Sequence, residues 1–486
     1  MRHVVISAVF TFVTASIVAP QEQPMPGMQM PARGEMHRHS AAQAEFLPRF
    51  GQAQKEARGK LFTLEEAQQT ARVKNPTLRQ AEAGIRAAKA RQMQAGLLPN
   101  PVAGYSGDEI RGGEAGGGKQ GFFIEQRIVT GGKLAKSREV FSKDTSLAEI
   151  EAEEQKIRVE TAVKMAFYRV LAAQELADAR GQLARIAQEN AVTVKRLGNT
   201  GQADETEILE AELEAHRLLL GERMQENTLR EEWRSLAAAM GDPEMEQMTV
   251  AGELEHGWPE LSDQEVLDAI ARNSPAVRIA NATAVRNSAE VARAQREAIP
   301  DLRVRAGLLY NNELLGGAPH ATGWEGMAEV GVEIPIFNRN QGNVAAAHAE
   351  GDRAEEEKRR IALTLRERAA SVLDQYSNAR LMAEQYRIEI LPRAKKAYTL
   401  REEKHGEMVA SFPRVLETQK RLFELHAEYV AALESVWTNG IALQGYLLTD
   451  GLEAPARPGE MDRPVRETNV PMPERTAGPE ARAPRP

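Results

Sequence analysis

The side chains best suited to binding chemistry lie near the N-terminus, where Met25, Met28, Met30, Met36, His37 and His39 fall within one short stretch. Thioether and imidazole donors at this density suit Cu(I). The same composition also suits a flexible Met-rich arm that holds no metal, and its place beside the start of the mature chain favours that reading. The other seven of the nine histidines are scattered, and no His-Glu-x-x-His, phosphate-loop or Gly-x-Ser-x-Gly pattern occurs. There is no cysteine, which excludes disulfides, thiolate metal sites and a lipid-bearing N-terminal Cys. The expectation is a protein that is not an enzyme and carries no cofactor.

A second group of charged residues is arranged rather than clustered. In 302–311, Leu302, Val304, Ala306, Leu308 and Tyr310 alternate with Arg303, Arg305, Gly307 and Asn311. In 324–334, Gly326, Ala328, Val330, Val332 and Ile334 alternate with Glu325, Glu329 and Glu333. Phe122, Ile124 and Ile128 likewise oppose Phe123, Glu125 and Arg127. Alternation with period two means strands with one apolar and one charged face, the pattern of a membrane β-barrel; a soluble sheet lying on helices is the competing reading. Such strands place Arg303, Arg305, Glu325, Glu329 and Glu333 on the face away from lipid, where they would line a lumen.

The elements that must position these strands are long helices. Aromatic residues make up only 5% of the chain and charged residues 27%, with both signs interleaved, which is the usage of long exposed helices. The net charge of −8 and the lack of a basic stripe with interleaved aromatics argue against nucleic acid. The plan is written twice, at an offset of about 200 residues. Asn75-Pro76 answers Ser274-Pro275, Leu98-Pro99-Asn100 answers Ile299-Pro300-Asp301, and Ile208-Leu209-Glu210 answers Val415-Leu416-Glu417. In each unit a helix (63–96, then 262–298) leads to two strands (about 102–109 and 120–129, then 302–311 and 324–334), a long helix (133–197, then 341–405), a Gly turn and a shorter helix (203–240, then 412–447). Thr63 with Glu66 forms a capping box, and Ser262 or Asp263 caps the second copy. Pro392 should kink the second long helix. The two short helices together match the long one, so they should stack end to end against it. A seam through Ile361, Leu365, Val372, Tyr376, Ala379, Ala383, Tyr386, Ile390, Ala394 and Ala397 supports coiled-coil-like packing.

The chain therefore divides into 1–19, a signal peptide by its short apolar run; 20–61, a Met/Pro-rich arm; 62–241, the first repeat; 242–261, a connector; 262–448, the second repeat; and 449–486, a disordered tail. The fold class is mainly α with membrane β. Four strands cannot close a barrel, and lipid does not tolerate open edges. Two copies would give eight strands, a barrel that side chains fill; three would give twelve and a pore, so a homotrimer is expected.

The pattern resembles the TolC-like outer-membrane efflux protein family. The residues that carry the resemblance are Leu97-Leu98-Pro99-Asn100-Pro101, the junction from Gln126 to Lys133, the junction from Ile334 to Gly342, and the two turns that precede Leu-Glu. It covers roughly 62–448, and the Asn338-Arg339-Asn340-Gln341-Gly342 run is most similar to the heavy-metal, CzcC/CusC-like branch. The resemblance implies a trimeric 12-stranded β-barrel in the bacterial outer membrane, continued by an α-helical tunnel in the periplasm. It also implies docking to a periplasmic adaptor protein and an inner-membrane transporter of the resistance-nodulation-division type. The docking tips fall on Arg196, Gly198, Gly201, His405 and Gly406, within 196–204 and 405–413. The acidic periplasmic entrance falls on Glu417, with Arg414 where the family archetype has a second acid, and on Glu207 and Glu210 in the first repeat. The implied function is a passive exit duct for heavy-metal cations. The alternatives are a duct for drugs or secreted proteins, or a soluble periplasmic coiled-coil adaptor, which would lack the duplicated strand pairs.

Overall fold

The computed structural model describes residues 61–108, 110, 118–314, 321–406 and 412–455. The signal-peptide region, nearly all of the 20–61 arm with its Met and His residues, and the tail beyond 455 lie outside the described residues. Each repeat opens with two helices where the sequence suggested one. In the first these are α1 (Leu64–Lys74) and α2 (Pro76–Ala95); in the second, α5 (Asp263–Asn273) and α6 (Pro275–Arg296). The residue before a proline is pushed out of the helical region. Asn75 and Ser274 are accordingly extended, and each caps the helix that its proline starts. Thr63 forms the expected capping box with Glu66, whereas the Ser262 side chain makes no cap hydrogen bond.

Strands β1 (Val102–Asp108) and β2 (Lys119–Ile128) follow α2, and β3 (Leu302–Leu314) and β4 (Ala321–Val332) follow α6. They form one antiparallel sheet in the order β1-β2-β3-β4, so the two repeats meet at β2 and β3. β4 ends at Val332, so Glu333 and Ile334 lie past the strand on which the alternation placed them.

The long helix α3 (Lys133–Asn199) is continuous, and α4 (Glu205–Met240) packs against its distal half. α2 packs on the other half, with Thr145 donating to Gln92 at 3.1 Å, and Arg72 of α1 meets Glu160 between them at 2.9 Å. The end-to-end stacking is thus present. In the second repeat α7 (Gln341–Gln385) runs through a π-helical turn (Tyr386–Ile390) into α8 (Leu391–Gly406), and α9 (Phe412–Gln444) packs on both. The π turn sits immediately before Pro392. It takes up the clash that the proline ring would make with the carbonyl four residues back. It also adds a residue to the seam. Ile361, Leu365, Tyr376, Ala379 and Ala383 are buried as expected, but beyond the turn the buried position is Tyr398 rather than Ala397.

The main core lies at mid-height, where the repeats meet and the connector crosses. Phe62 bridges Val250, the Trp437 indole donates to the Leu254 carbonyl at 2.9 Å, and Trp437 stacks on Tyr168 at 3.9 Å. The segment 449–455 is not a disordered tail. Glu453 pairs with Arg158, and Gln155 donates to the Glu453 carbonyl at 3.0 Å. Gly445 and Gly451 permit this approach, because a Cβ at either would lie within 3 Å of Thr161 or Ala162. The buried Asn75 accepts from Thr77 N at 2.9 Å and donates to the Ala239 carbonyl at 2.8 Å. Asn75→Ala should therefore cost roughly 1–3 kcal/mol, seen as a lower urea midpoint of the helical circular dichroism. Asn75→Asp keeps the acceptor and should fall between. Equal midpoints for all three proteins would show that the cap contributes nothing.

Candidate functional site

The sheet register sorts its side chains into two faces. Glu125, Arg305 and Glu329 are direct cross-strand partners in one row; Arg127, Arg303 and Gly331 form the row below. Arg305 lies over the Phe123 ring at 3.8 Å and within 4.0 Å of Glu329. Further along the same face Glu325 accepts from Asn311 at 2.8 Å and pairs with Lys119 at 3.0 Å. The structure therefore brings Arg303, Arg305, Glu325 and Glu329 together on one face and adds Lys119, which the sequence reading passed over. The opposite face carries Ile124, Ile128, Leu302, Val304, Leu308, Val330 and Val332, with Tyr105 against Phe122 and Tyr310 against Trp324 at its far end. Many of these are exposed, Phe122 at 71% and Trp324 at 70%, which a water-soluble sheet packed on helices would cover.

Glu333 joins a different group, in a cleft of about 790 Å³ where strands become helices. Asp301 is its centre. Arg127 reaches Asp301 at 2.6 Å, Lys133 at 2.9 Å, and the Thr130 amide donates to it at 3.2 Å. The local fold demands this arrangement. Gly131 and Gly132 turn the chain at φ +66° and +70°, and a Cβ on Gly131 would meet Ile299 at 2.7 Å. The second copy of the junction makes its turn with Asn340 at φ 61°, whose amide side chain donates to the Ala294 carbonyl at 2.8 Å. Asn338 and Gln341 accept from the amides of Asn340 and Arg339. The Asn-Arg-Asn-Gln-Gly run is thus a turn that bonds to itself and to α6. Asp301 was visible in sequence only as the end of the Ile-Pro-Asp landmark.

The far ends of the helices are on the order of 100 Å away, from a ~1.5 Å rise per residue along α3. There Gln202 N bonds to the Leu197 carbonyl at 2.9 Å and Gly201 takes φ +73°. Gly198 leaves room for Ile208, whose terminal methyl lies 2.4 Å from where a Cβ would be. Arg196 sits in the last turn of α3. Glu207 has a structural duty: with Asp204 it forms the capping box of α4, at 3.1 and 2.8 Å. Glu210, Arg414 and Glu417 are exposed. His405 and Gly406 end α8, and 407–411 lie outside the described residues. The candidate residues thus form two remote sets, strand face and tips. Among the described residues no cluster of three His, Asp or Glu side chains is arranged to hold a metal ion. No described helix is long and apolar enough to cross a membrane.

The Asp301 carboxyl is held below its ordinary 3.8. Burial pushes it up, but hydrogen bonds from Lys133, Arg127 and Thr130 outweigh that. A carboxylate with a depressed folded pKa gives stability that is full above the unfolded value and lost as pH falls through the folded one. Asp301→Asn should therefore lower the thermal midpoint most near neutral pH, and the gap from the parent should close below about pH 4. A gap independent of pH would exclude the charge as its source.

No family profile matches the chain. It is 27% identical over 383 residues to the cobalt-zinc-cadmium resistance protein CzcC of Cupriavidus metallidurans, covering 78% of this chain and 88% of the relative. Its fold is similar to the crystal structure of CusC, with a TM-score of 0.63 at 16% identity over 79% of this chain and 91% of that one. It is also similar to the open state of the outer-membrane channel MtrE of Neisseria gonorrhoeae, with a TM-score of 0.59 at 16% identity over 80% and 89%. The duplicated hairpins and the shared four-stranded sheet are thus the fold of these outer-membrane channel structures, carried by a chain that is similar in sequence to CzcC over most of its length.

Proposed function

We propose that three copies of this chain close a 12-stranded barrel in the outer membrane, continued by a periplasmic helical tunnel, and that the assembly is a passive exit duct for heavy-metal cations. The observation that carries this is the two-faced sheet whose outermost strands are β1 and β4. In lipid those edges need partners, and another copy supplies β1 to β4. Eight strands would leave an interior that side chains fill; twelve leave a passage. The charged face carrying Arg303, Arg305, Glu325 and Glu329 then lines the lumen, with Glu333 at its periplasmic mouth. The likeness to a cobalt-zinc-cadmium resistance protein favours metal as cargo.

The duct acts with an energised partner, because nothing in a passive tube sets direction. A periplasmic adaptor and a resistance-nodulation-division transporter in the inner membrane fill that role in this reading, docking at the tips near Arg196, Gly198, Gly201, His405 and Gly406. At the entrance, Glu417 of each copy forms a ring that attracts cations, and Arg414 weakens it. Glu210 contributes from the first repeat.

Purified protein in planar bilayers tests the duct directly. The expected results are a heat-dissociable trimer and a conductance blocked by trivalent cations, with Glu417→Ala weakening the block severalfold. A monomer without conductance removes the reading, and unchanged block removes Glu417 from the entrance. With single-cysteine variants in intact membranes, an impermeant thiol reagent should label position 329 and spare position 330; the reverse would exchange the two faces. Loss of the gene should sensitise cells to cobalt, zinc or cadmium salts. Sensitivity to drugs alone would reassign the cargo.

A further inference from the structure

The lipid-facing band is too short if it ends where the strands do. On the apolar face its far limit is the aromatic pair Tyr310 and Trp324, and its near limit is Val332, beside Leu302. From Trp324 to Val332 is eight steps, or ~26 Å along the strand at ~3.3 Å per residue. At the ~40° tilt of barrel strands this spans a height of only ~20 Å, against ~25 Å for the apolar band of an outer-membrane barrel. Such a band also carries aromatic side chains at both of its water interfaces. Here Tyr105, Phe122, Tyr310 and Trp324 all sit toward one end.

The missing height and the missing aromatic are both present just past β4. Ile334, Ile336 and Phe337 are exposed at 69, 61 and 90%. Ile334 continues the apolar parity of Val330 and Val332. The backbone is held in a tight turn, since Ile336 N bonds to the Ile334 carbonyl at 2.9 Å and Gln341 donates to the Phe337 carbonyl at 3.2 Å. The polar side of the same turn is engaged with protein, through Asn340 and the Ala294 carbonyl at 2.8 Å. A backbone fixed in this way holds a large aromatic ring outward. A turn meant only to reverse the chain in water has no need of it.

We propose that Ile334, Ile336 and Phe337 complete the periplasmic rim of the lipid-facing band, with Phe337 seated at the boundary between headgroups and acyl chains. The occupant of this surface is the inner leaflet of the bilayer, because the patch is continuous with the apolar face of the sheet. This rests on the barrel reading above. The equivalent turn of the first repeat, from Val129 to Gly132, carries no aromatic residue. The rim therefore holds one such ring per copy.

The chain has no cysteine, so spin labels can be placed singly without background. Labels at Phe337→Cys, Val330→Cys and Glu356→Cys are compared in phosphatidylethanolamine–phosphatidylglycerol liposomes for collision with oxygen and with a water-soluble nickel chelate. The expected ratio of oxygen to nickel collisions at 337 falls between a high value at 330 and a low one at 356. A ratio at 337 equal to that at 356 places the ring in water and overturns the proposal. Low collision with both reagents buries it against a neighbouring copy and overturns it equally. If position 330 also reads as water, the barrel reading itself fails, whatever position 337 shows.

Discussion

A strand placed in hydrocarbon must find a partner for every N–H and C=O it carries, because no water is there to supply one. The described residues of one chain form four strands, and the two at the ends of the sheet each keep an unsatisfied side. The proposed barrel answers that deficit. In it the sheet is one sector of a larger closed surface, with its apolar face turned outward. Its charged face then encloses the aqueous lumen. Glu125, Arg305 and Glu329 in one row are costly in lipid and ordinary around an aqueous lumen.

The second constraint is the change from strand to helix. Each chain makes it with residues in left-handed backbone: Gly131 and Gly132 in one repeat, Asn340 in the other. Glycine does this without strain, and asparagine does it by bonding locally. Asp301 joins the two repeats at this level by accepting from Arg127, Thr130 and Lys133. A carboxylate answered by two cations and an amide locks the register between β2 and β3 more firmly than an exposed ion pair would.

The middle of the molecule holds the repeats together by ordinary burial. Phe62, Trp233, Tyr429 and Trp437 sit where the connector crosses. The end of α9 then turns back through Tyr446 and Leu447, both at positive φ. Neither residue adopts that conformation cheaply, but both pack against the core. The turn delivers the Gly451 carbonyl toward Asn75 and Glu453 to Arg158. The segment 449–455, which follows the second repeat, thereby fastens onto the first at the break between α1 and α2 and at Arg158 of α3. At the first tip the described contacts are lighter: the capping box of Asp204 with Glu207, and the exposed ion pair of Lys195 with Glu212.

Much of this was legible in the chain because periodicity is a local property. The duplication, the apolar and charged strand faces, the Thr63 capping box and the stacking of two short helices on one long helix all follow from spacing, and the register places four of the five lumen candidates on one face. What needed tertiary structure is where distant residues decide the outcome. Asn75 and Ser274 end a helix because a proline follows, yet the pattern on either side reads as continuous. The π turn before Pro392 moved the seam from Ala397 to Tyr398, since one extra residue changes the phase of all that follows. The docking of 449–455 depends on two glycines meeting Thr161 and Ala162, nearly 300 residues earlier in the chain. The sequence by itself determined which faces are apolar and that four strands cannot stand alone, because alternation and edge hydrogen bonding are set residue by residue. Only the tertiary structure decided that Asp301 ties the repeats and that 449–455 is a strap, because those depend on which side chains the packed helices bring within reach.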